Sequence, residues 1–70
     1  MDFKKITLIG VGLIGSSFAL ALKKHGFDGV ITGVGRNEQN LVNAKKLGII
    51  DAYCTSPSEG VIDADLIVLA

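Results

Sequence analysis

Apolar residues gather in four short blocks along the chain: Ile6-Thr7-Leu8-Ile9, Val30-Ile31-Thr32-Gly33-Val34, Ile49-Ile50 with Ala52-Tyr53-Cys54 on either side of Asp51, and Leu66-Ile67-Val68-Leu69-Ala70. The blocks are aliphatic and β-branched with little alternation, the pattern of strands covered on both faces of a parallel sheet. Between the first and second, Ile14, Phe18, Ala21 and Leu22 recur at helical spacing, with Gly15 and Ala19 small enough to bring that face near a sheet. This predicts a helix from about Leu13 to His25, with Lys23, Lys24 and His25 at the negative end of its dipole and Gly26 as a left-handed stop. A second helix is predicted over Glu38 to Leu47, capped by Asn37, with Leu41, Ala44 and Leu47 inward and Gly48 ending it. Ser56-Pro57-Ser58-Glu59 reads as a capping box opening a third helix, which Gly60 keeps short before Asp63-Ala64-Asp65 leads into the fourth strand. Strands and helices therefore alternate. Right-handed crossovers then give the strand order 3-2-1-4, the first half of a Rossmann-like, doubly wound parallel α/β sheet.

The first strand runs into Gly10-Val11-Gly12-Leu13-Ile14-Gly15, so the three glycines stand at a strand-to-helix turn. In that context each has a distinct use. Gly10 allows the tight turn, Gly12 lacks the Cβ that would keep a pyrophosphate from the backbone, and Gly15 lets the helix lie close on the strand. Free amides of the first helical turn, near Leu13 and Ile14, point at an anion, favoured by the positive end of the helix dipole. The expected occupant is a dinucleotide.

Seventy residues suffice for one small domain, or part of a larger one, and bury only about 60% of the unfolded surface. With 49% hydrophobic residues and an apolar strand as its last segment, the chain is expected to be a partial domain, residues 1–70, whose faces further chain would cover. Seven basic residues balance seven acidic ones, and the lysines fall in dispersed pairs. No field is left to draw in nucleic acid or an anionic membrane. The single cysteine, Cys54, allows no internal disulfide, and no segment has the form of a signal peptide or membrane span, so a soluble cytoplasmic chain is expected.

The choice between the two nicotinamide dinucleotides is read at the end of the second strand. A carboxylate that binds the adenosine ribose is expected there, about twenty residues beyond the glycine turn. Counting from Gly15 reaches Gly35, followed by Arg36 and Asn37, and the first acid beyond is Glu38. A carboxylate would repel a 2′-phosphate, whereas Arg36 and Asn37 offer it hydrogen bonds and Arg36 also stacks on adenine. NADP is favoured over NAD. Other reactive side chains fit plainer roles: His25 lies at the far end of its helix, Cys54 suits a small apolar site, and Asp63 and Asp65 precede the fourth strand, away from the ends where ligands collect. No cluster has metal-ligand spacing, and no catalytic group is expected among these residues.

The run from Ile6 through Gly10-Val11-Gly12-Leu13-Ile14-Gly15 to Leu22 resembles the opening of the prephenate and arogenate dehydrogenases of tyrosine biosynthesis. Gly33-Val34-Gly35-Arg36-Asn37, Lys46-Leu47-Gly48-Ile49-Ile50-Asp51 and Ala64-Asp65-Leu66-Ile67-Val68-Leu69-Ala70 fit the same family in order and spacing. Two positions depart from it: Ser16, where the family has a further glycine, and Gly35, where NAD-preferring members carry an acid. The resemblance implies oxidative decarboxylation, with hydride passing from the ring of prephenate or arogenate to the nicotinamide. It also implies that the family's catalytic histidine, substrate-binding arginine and helical dimerisation domain lie beyond residue 70, so these residues alone are expected to be inactive. Two other readings share the glycine turn: a different NAD(P)-dependent dehydrogenase, and a non-catalytic module that senses dinucleotide.

Overall fold

The computed structural model describes residues 3–69, and of Leu13 and Ile14 only the helical backbone. Its elements are β1 (Lys5–Ile9), α1 (Leu13–Lys24), β2 (Val30–Val34), α2 (Glu38–Lys46), β3 (Ala52–Cys54), α3 (Pro57–Gly60) and β4 (Leu66–Leu69). All neighbouring strands are parallel, in the order β3-β2-β1-β4. The topology read from the sequence is therefore the one observed, as half of a Rossmann-like fold. Ala70, placed at the end of the fourth strand by its sequence, lies outside the described residues.

Strand alternation divides the interior between the two faces. Ile6, Leu8 and Ile31 project to one side, where they form a single cluster with Ala19 and Phe27 from α1 and its exit, Leu41 and Ala44 from α2, and Ile50. On the other side Thr7 and Val34 meet α3. Thr7 is fully buried, and its hydroxyl donates to the Gly60 carbonyl at 2.6 Å. A Cβ on Gly60 would collide with Val34 Cγ2 and come within 3.1 Å of Cys54 Sγ, so a glycine is what lets this short helix lie against the sheet. Its placement there is a matter of close approach rather than of helix length alone.

Three details of the helices differ from the sequence pattern. In α1 the buried side is Gly15, Phe18, Ala19 and Leu22, while Ala21 is exposed. In α2, Leu47 is 74% exposed, because the helix ends at Lys46 and Gly48, at φ 77°, turns the chain so that Ile49 and Ile50 supply the inward contacts. Ser56 stands at the N-cap of α3 without making the side-chain bond of a capping box; its hydroxyl pairs with that of Ser58 at 3.0 Å. A single helical turn offers few amides, and the Ser56 backbone carbonyl already accepts from Glu59 and Gly60.

Two aspartates fasten the entry ends of the strands in the same way. Asp51 donates its backbone N–H to the Ile31 carbonyl and accepts the Ile31 N–H on Oδ2 at 2.9 Å. Asp65 donates to the Lys5 carbonyl and accepts the N–H groups of Lys4 and Lys5 at 2.7 and 2.9 Å. Each carboxylate satisfies amides that would otherwise have no strand partner. The two backbone amides hold the Asp65 carboxyl below the usual carboxylate range.

Two measurements test these contacts. Thr7→Val removes the donor to a buried carbonyl and is expected to cost about 1–3 kcal/mol in urea unfolding, with Gly60→Ala destabilising through overpacking by a similar amount, about 1–3 kcal/mol. Because its folded pKa is lowered, Asp65 contributes stability that is complete above the ordinary carboxylate range and is lost as pH falls through the lowered value. Asp65→Asn should therefore flatten the stability profile at acid pH, and an unchanged profile would remove the carboxylate from the account.

Candidate dinucleotide site

The site grows out of the way β1 ends. Gly10 donates its N–H to the Val34 carbonyl at 2.8 Å, which prolongs the β1–β2 ladder by one bond, and then turns at φ 89°, a conformation L side chains rarely adopt. Gly12 follows as N-cap of α1, and the first helical bond runs from Ser16 N–H to the Gly12 carbonyl at 2.8 Å. Amides of residues 13–15 thus precede the helical ladder, the arrangement that leaves N–H groups for an external acceptor. The first turn of α1 carries no acid to compete for them.

Gly12 has ordinary extended torsions, φ −118° and ψ −156°, and a Cβ built on it would meet nothing within 4 Å among the described residues. Its missing side chain is therefore not demanded by packing. What it leaves is open space beside the helix start, the shape a diphosphate bridge requires. Gly15, one turn into the helix, is buried. The side chains of Leu13 and Ile14 lie outside the described residues.

At the strand ends lies a cleft of about 460 Å³ lined by Ile9, which ends β1, and Gly10 after it, by Val34, which ends β2, with Gly35 and Arg36 after it, and by Thr55 and Pro57 after β3. This is the position at which open α/β sheets bind ligands. Gly10, Gly35 and Arg36 come together here. Asn37 does not line the cleft: it caps α2, its Oδ1 accepting the Asn40 N–H at 3.2 Å, which occupies the carbonyl and leaves the amide nitrogen as donor. Arg36 is exposed and, among the described residues, makes no ion pair or hydrogen bond, so its guanidinium is available at the cleft wall. A Cβ on Gly35 would touch only Leu41, at 3.7 Å, an ordinary contact. Thr55 has no role in the sequence pattern, and Pro57 reads there only as the start of the third helix. The strand order alone would have indicated them, since β3 ends beside β2.

Side chains set aside as non-catalytic stand elsewhere. His25 is the C-cap of α1, its N–H bonded to the Ala21 carbonyl. Cys54 is half-buried, its thiol donating to the Ser56 carbonyl at 3.2 Å. Lys23 reaches the Gly48 carbonyl at 2.7 Å and Asp51 at 3.5 Å, tying α1 to the entry of β3. Among the described residues no three His, Cys, Asp or Glu side chains gather as metal ligands, and no helix is long and apolar enough to cross a membrane.

A parallel sheet in the order 3-2-1-4, a glycine turn leading into a helix N-terminus and a cleft across the strand ends define the amino half of a dinucleotide-binding domain. The family described as "Prephenate dehydrogenase, nucleotide-binding domain" matches residues 18–70, and the chain belongs to that family. It is 42% identical over 65 residues to the prephenate dehydrogenase of Bacillus subtilis (strain 168), covering 93% of this chain and 18% of that protein. It is 46% identical over 67 residues to the prephenate dehydrogenase of Lactococcus lactis subsp. cremoris (strain MG1363), covering 96% of this chain and 18% of the relative. The crystal structure of prephenate dehydrogenase from A. aeolicus in complex with hydroxyphenyl propionate and NAD+ superposes with a TM-score of 0.92 at 34% identity, over 99% of this chain and 24% of that one. The chain thus spans about a fifth of the length of the curated relatives it matches.

Since a side chain at Gly12 fits the fold but enters the open space, Gly12→Leu is expected to leave the circular dichroism spectrum unchanged and abolish dinucleotide binding in a calorimetric titration. Undiminished binding would show that the turn does not hold the diphosphate.

Proposed function

We propose that this chain is the cofactor-binding part of a prephenate or arogenate dehydrogenase, serving oxidative decarboxylation in tyrosine biosynthesis. The observation that carries the reading is the cleft at the strand ends, with a glycine turn on one side, the Arg36 guanidinium on the other and no carboxylate among the described residues that line it. The residues fit a nicotinamide dinucleotide: Gly10, Gly12 and Gly15 shape the turn, and the amides near Leu13 and Ile14 receive the pyrophosphate. Gly35, Arg36 and Asn37 take the adenosine end. A dinucleotide held there would supply the hydride acceptor for the oxidation that accompanies loss of carbon dioxide from the substrate. This chain's residues hold and orient the cofactor, and they carry no group assigned to act on the substrate. Residues 1–70 are on this reading a partial domain, inactive alone. The complete protein is a soluble cytoplasmic homodimer that takes prephenate or arogenate as substrate.

NADP is the favoured cofactor, with NAD as the alternative. At Gly35 no carboxylate stands to hold the ribose hydroxyls or to repel a 2′-phosphate, and the next side chain is cationic. Arg36→Ala is expected to weaken NADP by about tenfold or more while changing NAD far less, as for loss of a hydrogen bond to a charged group. Gly35→Asp, which the contact with Leu41 tolerates, should shift preference toward NAD. Calorimetric titration with both cofactors checks both substitutions, and equal losses of NAD and NADP on Arg36→Ala would remove the contact with the 2′-phosphate.

A further inference from the structure

The pairing register places Ile9, Val34 and Cys54 in one row across β1, β2 and β3. One residue further on, that row becomes Gly10, Gly35 and Thr55. The bond from Gly10 N–H to the Val34 carbonyl shows that β1 and β2 remain in register at this level. Two of the three positions carry no side chain, so a ligand resting on Gly10 and Gly35 meets its first side chain at Thr55, one strand spacing, about 4.8 Å, beyond Gly35. Thr55 is exposed and lines the cleft together with Arg36. Among the described lining residues these two alone have side chains able to donate a hydrogen bond, because the others are Ile9, Gly10, Val34, Gly35 and Pro57.

We propose that Thr55 is a specificity-determining residue whose hydroxyl, opposite Arg36, donates to the 2′-phosphate of the adenosine moiety. The assignment rests on the dinucleotide reading given above and adds to it a second donor, contributed by a different strand. A threonine hydroxyl donates to a phosphate oxygen as well as any neutral group does, and among the described residues no carboxylate in the lining opposes the anion. The guanidinium supplies charge and the hydroxyl supplies direction. Together they distinguish a phosphorylated ribose from a free one.

The test uses two probes that differ only in that phosphate, 5′-AMP and adenosine 2′,5′-bisphosphate, titrated calorimetrically into the full chain. Wild type should bind the bisphosphate more tightly. Thr55→Val, which keeps the shape and removes the hydroxyl, should weaken the bisphosphate by about 5- to 10-fold and leave 5′-AMP unchanged, and Thr55→Ser should restore the difference. Circular dichroism of the three proteins separates loss of binding from loss of fold. Equal effects of Thr55→Val on both probes, or none on either, overturn the role of Thr55 while leaving the site standing. A wild-type chain that prefers 5′-AMP also overturns it. If the wild type binds neither probe, the dinucleotide reading falls and Thr55 falls with it.

Discussion

The structure turns on how β1 stops. Gly10 must complete the ladder by donating to Val34 and, in the same residue, reverse the chain at φ 89°. A side chain in that left-handed conformation costs roughly 1–2 kcal/mol, which a small domain can ill absorb. Because the reversal takes only two further residues, α1 begins directly above the end of β1 and runs back over the sheet. Its buried side, Gly15, Phe18, Ala19 and Leu22, then lies on Ile6 and Leu8, and its first amides stand over the strand ends. Core and cradle follow from a single turn.

The two ends of the sheet are chemically opposite. At the entry end, strand amides find acceptors in Asp51 and Asp65, and Lys23 closes onto Asp51. At the exit end, the described residues that line the cleft include no carboxylate and one cation. A five-residue strand separates the ends by about 17 Å. That exceeds the Debye length of about 8 Å at physiological salt, so the structural aspartates exert little field on an anion in the cleft. Acids fasten the sheet where they do not repel a phosphate.

The topology and the order of elements were legible because patterns of different kind agreed: apolar blocks for the strands, helical spacing between them, and glycine or asparagine at the ends; Ile49 and Ile50, apolar like the third strand beside them, instead precede it as inward contacts. Gly26 and Gly48, both at positive φ, stop their helices as the pattern implied. What the sequence did not reveal depends on contacts between distant segments. Leu47 continues the apolar stripe of α2 yet is exposed, since the turn at Gly48 hands the inward position to Ile49 and Ile50. Asp51 and Asp65 look like loop acids until the strands are aligned beside them. At the site, the glycine turn and Arg36 stand out locally, whereas Thr55 joins them only through the pairing of β3 with β2.

That pairing also links the cleft to the face of the sheet that carries α3. The third wall of the cleft, Thr55 and Pro57, lies where β3 passes into α3, so its position depends on how closely that helix approaches the sheet. Gly60 sets the approach by leaving room for Val34 and Cys54, and the buried bond from Thr7 fixes it. Val34 takes part in both arrangements, for its side chain meets Gly60 while its carbonyl receives Gly10. The segment that carries Thr55 and Pro57 is therefore anchored by buried contacts of β1 and β2 with α3, on the face opposite the main hydrophobic cluster.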